Sequence, residues 1–433
     1  MSAAAAHEHP DVPATPLRWL ALGAAALAIF ASYYESDVIG ELADLLGRQR
    51  GFSHADIGSL NAAIYWPSVV LALVGGLLID RFGAARMALV TALIGVAGAV
   101  LTAIGQPFWV MWTGRLVFGV AEGAIFMALV AGLAQWFPKS GVALATALFL
   151  SLARVGSFLC NTSSTWAKPL YDAGWQPPLW LGAGISALGL VGALVFWLLE
   201  PRRPRPAAVL QPVQAEARVR PGLGEVLRFD ASFWLICALH VLYASVFFPF
   251  RQTYAVVYLQ HAKHLSLQAA GQVNSGVFLM AVFVTPLFGL LADRIGHRAL
   301  MLVVGTALLP VTLGVLAFTD LSPWVSTLLM GVSWALVPAV IWPSTTLIVA
   351  PERLGTALGI ITLIQAAAIA GSNYAAGWLA DMAHAGPANP AGYDVLLGYF
   401  ALVSAFALAS VLALWRRERG PDGHGLERAK AAD

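Results

Sequence analysis

The chain has 433 residues, 59% of them hydrophobic and only 11% charged, with a mean hydropathy of +0.75 and a net charge of +2. Soluble domains carry about 25% charged residues, so a soluble domain is excluded, and no basic face marks nucleic acid as a partner. Both cysteines, Cys160 and Cys237, sit in apolar runs, which leaves no disulfide framework and no metal cluster.

The N-terminus, MSAAAAHEHPDVPATPLR, has no basic segment leading into a short apolar core, so no cleaved signal peptide is expected. Residues 1–19 read as a tail. Apolar runs of roughly 20 residues follow, each the length a helix needs to cross a bilayer. In chain order they are Leu20–Ile39, Ile57–Ile79, Met87–Ile104, Trp109–Trp136, Val142–Trp166 and Leu179–Leu199. A Pro- and Arg-rich stretch from Glu200 to Gly222 has no periodicity and reads as a solvated linker, placed at residues 200–232. Six more runs follow: Phe233–Tyr258, Ala270–Ala292, Leu300–Phe318, Pro323–Ala350, Leu354–Leu379 and Val395–Trp415. The expected architecture is an all-α membrane protein of twelve spans: a six-helix bundle over 20–199, a second over 233–415, and a tail over 416–433.

Lys and Arg set the orientation. With both termini in the cytoplasm, 18 of the 25 fall inside, four outside (Arg48, Arg50, Lys168, Lys263) and three within the spans (Arg115, Arg154, Arg251). The asymmetry predicts cytoplasmic termini. Arg outnumbers Lys and Ala is abundant, which suggests a GC-rich bacterial genome and an inner membrane.

The loop after span 2 reads GGLLIDRFGAAR and the loop after span 8 reads FGLLADRIGHR. Gly76, Asp80, Arg81, Gly83 and Arg86 thus have counterparts in Gly289, Asp293, Arg294, Gly296 and Arg298, the two aspartates lying 213 positions apart. A second echo, Thr-Ala-Leu at 146–148 and 356–358, follows Pro138 and Pro351. The halves read as structural repeats, as in transporters whose site lies between two bundles that rock against each other. The Asp-Arg loops are expected to pair across the seam between the halves, hold the cytoplasmic side closed, and part when it opens.

A charge at mid-membrane costs about 2.5–3.5 kcal/mol, so each one calls for a partner or a function. Glu122 lies 13 residues into span 4 and Arg154 a similar depth into span 5 from the other side, which puts both near the midplane. Downstream of Arg154, Ser157, Asn161, Ser164 and Thr165 recur on one helix face and are expected to line a water-filled cavity. Glu122 suits a cationic group of a solute and Arg154 a carboxylate, held bidentately. The competing reading is simple neutralisation, of Glu122 by Arg154 or by Arg115 seven residues before it, and Arg115 is read as structural. Span 7 carries His240, Tyr243, Phe247, Arg251 and Tyr254 on one face; His240 either tunes substrate or proton handling or is held by a neighbouring helix. Tyr33, Tyr34, Tyr65, Trp66, Trp334, Trp342 and Gln365 are candidates for a side-chain pocket, each with packing or interfacial anchoring as the alternative. Gly119-x-x-x-Gly123 is expected to let helices approach closely.

The phrase Gly76-x-x-x-Asp80-Arg81-x-Gly83-x-x-Arg86, with its second-half copy and Gly114-Arg115-x-x-x-Gly119, resembles the signature of the major facilitator superfamily. Tyr33-Tyr34-x-x-Asp37, Trp66-Pro67, the run from Gly114 through Glu122, Ala153-Arg154-x-Gly156-Ser157, Phe248-Pro249-Phe250, Asn274-Ser275, Trp342-Pro343 and Pro351-Glu352 resemble its lysosomal dipeptide transporters and their bacterial relatives. The resemblance implies facilitated movement of zwitterionic dipeptides, with Glu122 and Arg154 central to binding. It also implies the possibility of an accessory single-span protein, although a monomer is expected. No cofactor, metal or catalytic residue is implied: no nucleotide-binding loop is present, and no nucleophile and base occur together at midplane. A proton-coupled carrier of monocarboxylates is the alternative, with Arg154 on the carboxylate and Glu122 on the proton. A substrate sensor without net flux is a third.

Overall fold

The structure, a computed structural model, describes residues 16–137, 139–200, 229–421 and 423–428. Pro138, most of the first tail and nearly all of the linker fall outside this range. Among the described residues the only β pairing is an isolated bridge between Gly386 and Asn389. Eleven helices are long and apolar enough to cross a membrane, and a bent helix pair in span 2 makes a twelfth. The expected all-α, twelve-span fold is what the chain adopts.

Where the helices depart from the apolar runs, the reason is burial by protein rather than lipid. Span 1 runs from Leu17 to Arg50, far beyond Ile39, until Gly51 turns the chain with a φ of 67°. Its added turns carry Glu41 and Asp44, which are buried; hydropathy drops there because the helix enters a protein seam. Span 2 breaks into His54–Ala63 and Trp66–Phe82. Span 5 stops at Asn161 and span 7 is interrupted by a π-helical turn at Pro249–Tyr254 before continuing through Ala255–His261. Pro249 opens this turn; lacking an N–H, it cannot make the regular helix bond.

Glycines set two close approaches. A Cβ at Gly119 would lie 2.3 Å from the carbonyl oxygen of Ile64, and one at Gly123 would lie 3.0 Å from Ser68 Oγ, so this pair does bring span 4 against span 2. The repeated loop glycines have a different reason. Gly83 and Gly296 end spans 2 and 8 at φ 86° and 70°, a region costly for any side chain.

Both ends of the described chain lie on the face that carries the Asp-Arg loops. Arg18 lies over the Phe137 ring at 5.8 Å. Beyond span 12, which extends to Glu418, the chain folds back: Arg298 N–H donates to Leu426 O at 2.8 Å, and Leu300 N–H donates to a Glu427 carboxylate oxygen at 2.9 Å. The last segment thus caps the start of span 9.

The hydrogen bonds joining the two halves run from the opposite, far face inward. Asp381 of span 11 accepts from the backbone N–H groups of His54 and Ala55, both at 2.8 Å. Tyr393 links His54 at 2.9 Å to His261 at 2.8 Å, and His261 meets Asp44 at 2.9 Å. Deeper, Arg251 pairs with Asp37 at 2.7 Å, Asn61 donates to Thr253 at 2.9 Å, and Arg154 reaches span 8. The far face is closed by this ladder.

Candidate functional site

Span 1 presents Tyr33, Ser36 and Asp37 on one face, the spacing of adjacent helical turns. Span 4 brings Arg115 and Glu122 against it. Arg115 is completely buried and donates to the backbone carbonyls of Glu35 and Ser36, both at 2.8 Å, and to Asn61 Oδ1 at 3.0 Å. Its nearest carboxylate is Glu35, at 3.9 Å. Arg115 therefore fastens spans 1, 2 and 4 together, the structural role expected of it, and its hydrogen bonds bypass Glu122.

Glu122 is half-buried, with Ser36, Arg115 and Asp37 close enough to act on its carboxylate. Tyr33 lies within electrostatic reach of both Glu122 and Arg154. Arg154, also half-buried, donates to Ala281 O and to Thr285 Oγ1 of span 8, each at 3.1 Å. Among the described residues no ion pair joins Glu122 to Arg154 or to Arg115, so neither neutralising pairing is formed in this state. The two opposite charges share Tyr33 as a neighbour while remaining unpaired with each other.

A hydrogen-bonded string from the second half reaches this cluster. Tyr65 donates to Gln252 Oε1 at 2.6 Å, and Gln252 donates to Ser36 Oγ at 2.7 Å. Gln252 belongs to the π-helical turn, which turns its side chain towards span 1. Sequence reading missed Ser36 and Gln252; the only signal available was a polar residue within an apolar run.

The second half gathers its own set. His240 is buried, 3.2 Å from Thr345 Oγ1, with its ring 4.5 Å from that of Trp342. Gln365 donates to the His240 carbonyl at 3.2 Å. Tyr243 meets Ser333 at 2.9 Å and stacks with Phe247 and Trp334. Phe248 bridges the sets, 6.2 Å from Tyr65 and 5.2 Å from Trp334. An aromatic wall therefore runs from Tyr65 in the first half to Tyr243 in the second. His240 has the hydrogen bond to a neighbouring helix that its packing reading required. Trp66 and Trp342 remain 46% and 40% exposed, and no described contact joins Trp66 to the charged cluster. Tyr34 is buried beside Trp166.

One expectation is corrected. Ser157, Asn161 and Ser164 line no water-filled cavity here: all three are buried. The helix stops at Asn161, which donates to Asp37 at 3.3 Å and accepts from Asn274 of span 8 at 2.5 Å. That polar face is spent on closing the seam; only Thr165 beyond it is exposed, facing Gln272. The Asp-Arg loops are open to solvent. Asp80, Arg81, Arg86 and Arg294 are exposed, while the side chain of Asp293 lies outside the described part. Such exposure fits the parted arrangement expected of these loops.

Residues 25–372 match the family described as Major Facilitator Superfamily. The chain is 31% identical over 367 residues to the lysosomal dipeptide transporter MFSD1 of Danio rerio, covering 82% of this chain and 78% of that relative. It is 30% identical to the protein of that name in Homo sapiens, over 81% and 77% of the two chains. A probable sulfoacetate transporter, SauU of Cupriavidus necator, is 24% identical over 79% and 83%. Among solved structures, a bacterial homologue of the lysosomal transporter Spinster, inward-facing and unoccupied, superposes with a TM-score of 0.70 at 17% identity, covering 93% of this chain and 98% of that one. The nucleoside transporter NupG gives 0.69 at 13% identity, over 93% and 100%.

Proposed function

This chain belongs to the major facilitator superfamily, and we propose that it moves small zwitterionic solutes, dipeptides above all, across the membrane by alternating access as a uniporter. The observation that carries the reading is the pair Glu122 and Arg154. They are of opposite sign, near the middle of their spans, both within electrostatic reach of Tyr33, and not paired with each other. A zwitterion supplies the missing partner to each: its ammonium to Glu122, its carboxylate to Arg154. The aromatic wall from Tyr65 to Tyr243, with Trp342, His240 and Gln365 behind it, is then the surface that meets the solute's side chains. Similarity to the lysosomal dipeptide transporters supports the substrate class. The Asp-Arg loops form the opposite gate, pairing when the termini face closes. The excess of Lys and Arg on that face supports a cytoplasmic orientation for it, and the Arg- and Ala-rich composition supports a bacterial inner membrane.

The test is thermal stabilisation of the purified protein by dipeptides, single amino acids, tripeptides and monocarboxylates. Binding to the folded state alone stabilises it by about 2.7 kcal/mol at a hundredfold excess over Kd. Dipeptides are expected to shift the wild type and to shift neither Glu122→Gln nor Arg154→Ala. If monocarboxylates alone give the shift, and Glu122→Gln still binds them, the dipeptide reading is wrong. Flux into liposomes with and without a pH gradient then separates uniport from proton coupling.

A further inference from the structure

A count of the buried charges leaves one carboxylate over. Arg115 has Glu35 as its counter-charge, 3.9 Å away, although neither Glu35 oxygen accepts a hydrogen bond. Arg251 has Asp37. Glu122 and Arg154 answer each other through the zwitterion, on the reading above. Glu41, on span 1 one turn beyond Asp37, is 1% exposed, and neither of its oxygens has a hydrogen-bond partner.

The groups around Glu41 leave it without a hydrogen bond. Asp37 lies on its own helix and accepts from Arg251 on one oxygen and from Asn161 on the other. Arg251, from the π-helical turn of span 7, gives one N–H to Asp37 and lies 4.4 Å from the Phe278 ring, while its Nε and Nη1 hydrogen-bond neither Glu41 nor any other group. Cys160 from span 5, Tyr171 from the following loop helix and Tyr34 on span 1 complete the titratable neighbours. Asp44, a turn further on, is engaged by Arg48 and His261. From span 8 comes Gly271, where a Cβ would stand 3.0 Å from a Glu41 oxygen. One arginine thus serves two carboxylates, and only one of them is hydrogen-bonded to it.

We propose that Glu41 is a proton-binding site of the closed seam: one proton neutralises the Asp37–Arg251–Glu41 group while the far face is shut. Leaving a carboxylate ionised in a site with no donor would cost far more than taking up a proton. Arg251 and Gly271 belong to the second half, so opening the far face withdraws them and brings Glu41 to water, where it ionises. Closing the seam therefore takes up one proton, and the closed-to-open ratio rises about tenfold per pH unit of acidification over the range where Glu41 is protonated in the closed state and ionised in the open one. The consequence for flux rests on the transporter reading; the protonation does not, and its test contains no substrate.

Infrared spectra of the purified protein at neutral pH are expected to show a protonated-carboxyl band that shifts in D2O. Glu41→Gln should remove the Glu41 component and Glu122→Gln should keep it. Asp37→Asn should also remove it, because Arg251 is then free to meet an ionised Glu41. A wild type without such a band, or a band unchanged in both Glu41→Gln and Asp37→Asn, overturns the proposal. Spin labels at Lys168 and Lys263 read the seam directly. The closed-state distance should gain population as pH falls in the wild type, and Glu41→Gln should lose one proton's worth of that slope. An unchanged slope in Glu41→Gln overturns the coupling.

Discussion

Arg115 binds carbonyl oxygens of span 1 as well as facing a carboxylate, so its removal costs more than one ion pair. Arg115→Met would leave Glu35 buried without a counter-charge and two carbonyls without their extra donor. Breaking a buried pair from one side costs about 3–5 kcal/mol. We expect a loss of that size in thermal unfolding, and a partial recovery in Arg115→Met/Glu35→Gln, where no charge is stranded; equal instability of the single and double variants would assign the effect to the carbonyls alone. This residue, Glu122 and Arg154 were legible in the sequence because a charge inside an apolar run stands out. The Asp37–Arg251 pair was not legible as a pair: its members are 214 positions apart and meet only when the two halves close on each other. Ser36 and Gln252 were less visible still, since short polar side chains are common in membrane helices and only their mutual placement gives them meaning.

The Asp-Arg phrase contains glycines of two physical kinds, and at the level of the helix they make opposite predictions. Gly83 ends span 2 with φ 86° and ψ 145°, and no neighbour lies closer to an added Cβ than Glu200 at 3.9 Å. Its requirement is purely one of backbone conformation. Gly289 lies within the span 8 helix with nothing within 4 Å of an added Cβ. Gly83→Ala should therefore destabilise by about 1–3 kcal/mol, whereas Gly289→Ala should stabilise by roughly 0.5–1 kcal/mol. Chemical unfolding of the two variants side by side checks this. If Gly289→Ala is stabilising yet abolishes transport, then Gly289 is needed for close approach in the other conformation. Helix number and order followed from the apolar runs, because lipid demands them. Helix ends did not: span 1 overran its apolar run where protein replaces lipid, and span 2 broke just ahead of Pro67, which lacks the N–H a continuous helix needs but does not interrupt the apolar run.

For the whole molecule, the repeat of the Asp-Arg phrase was enough to show two related halves. The sequence could not say which face is shut, because the groups that shut it lie far apart in the chain and meet only in the fold. On the far face the most concentrated of these is Asp381. It accepts from two successive N–H groups at the start of the first helix of span 2 and from the His54 ring at 3.2 Å, so a carboxylate of one half caps a helix of the other. Ser53 and Asp56 already form a capping box there within the first half, so that helix keeps its own cap when the halves part. Asp381 therefore contributes to the closed state and little to the fold. Hydrogen bonds to a charged group contribute about 1.5–3 kcal/mol, so Asp381→Ala should lower the closed-to-open ratio roughly ten- to hundredfold. Its thermal stability in the open state should be close to that of the wild type. Distances between spin labels at Lys168 and Lys263 report the ratio. A variant that unfolds earlier without any gain in the long-distance population would mean that Asp381 holds the fold rather than the gate.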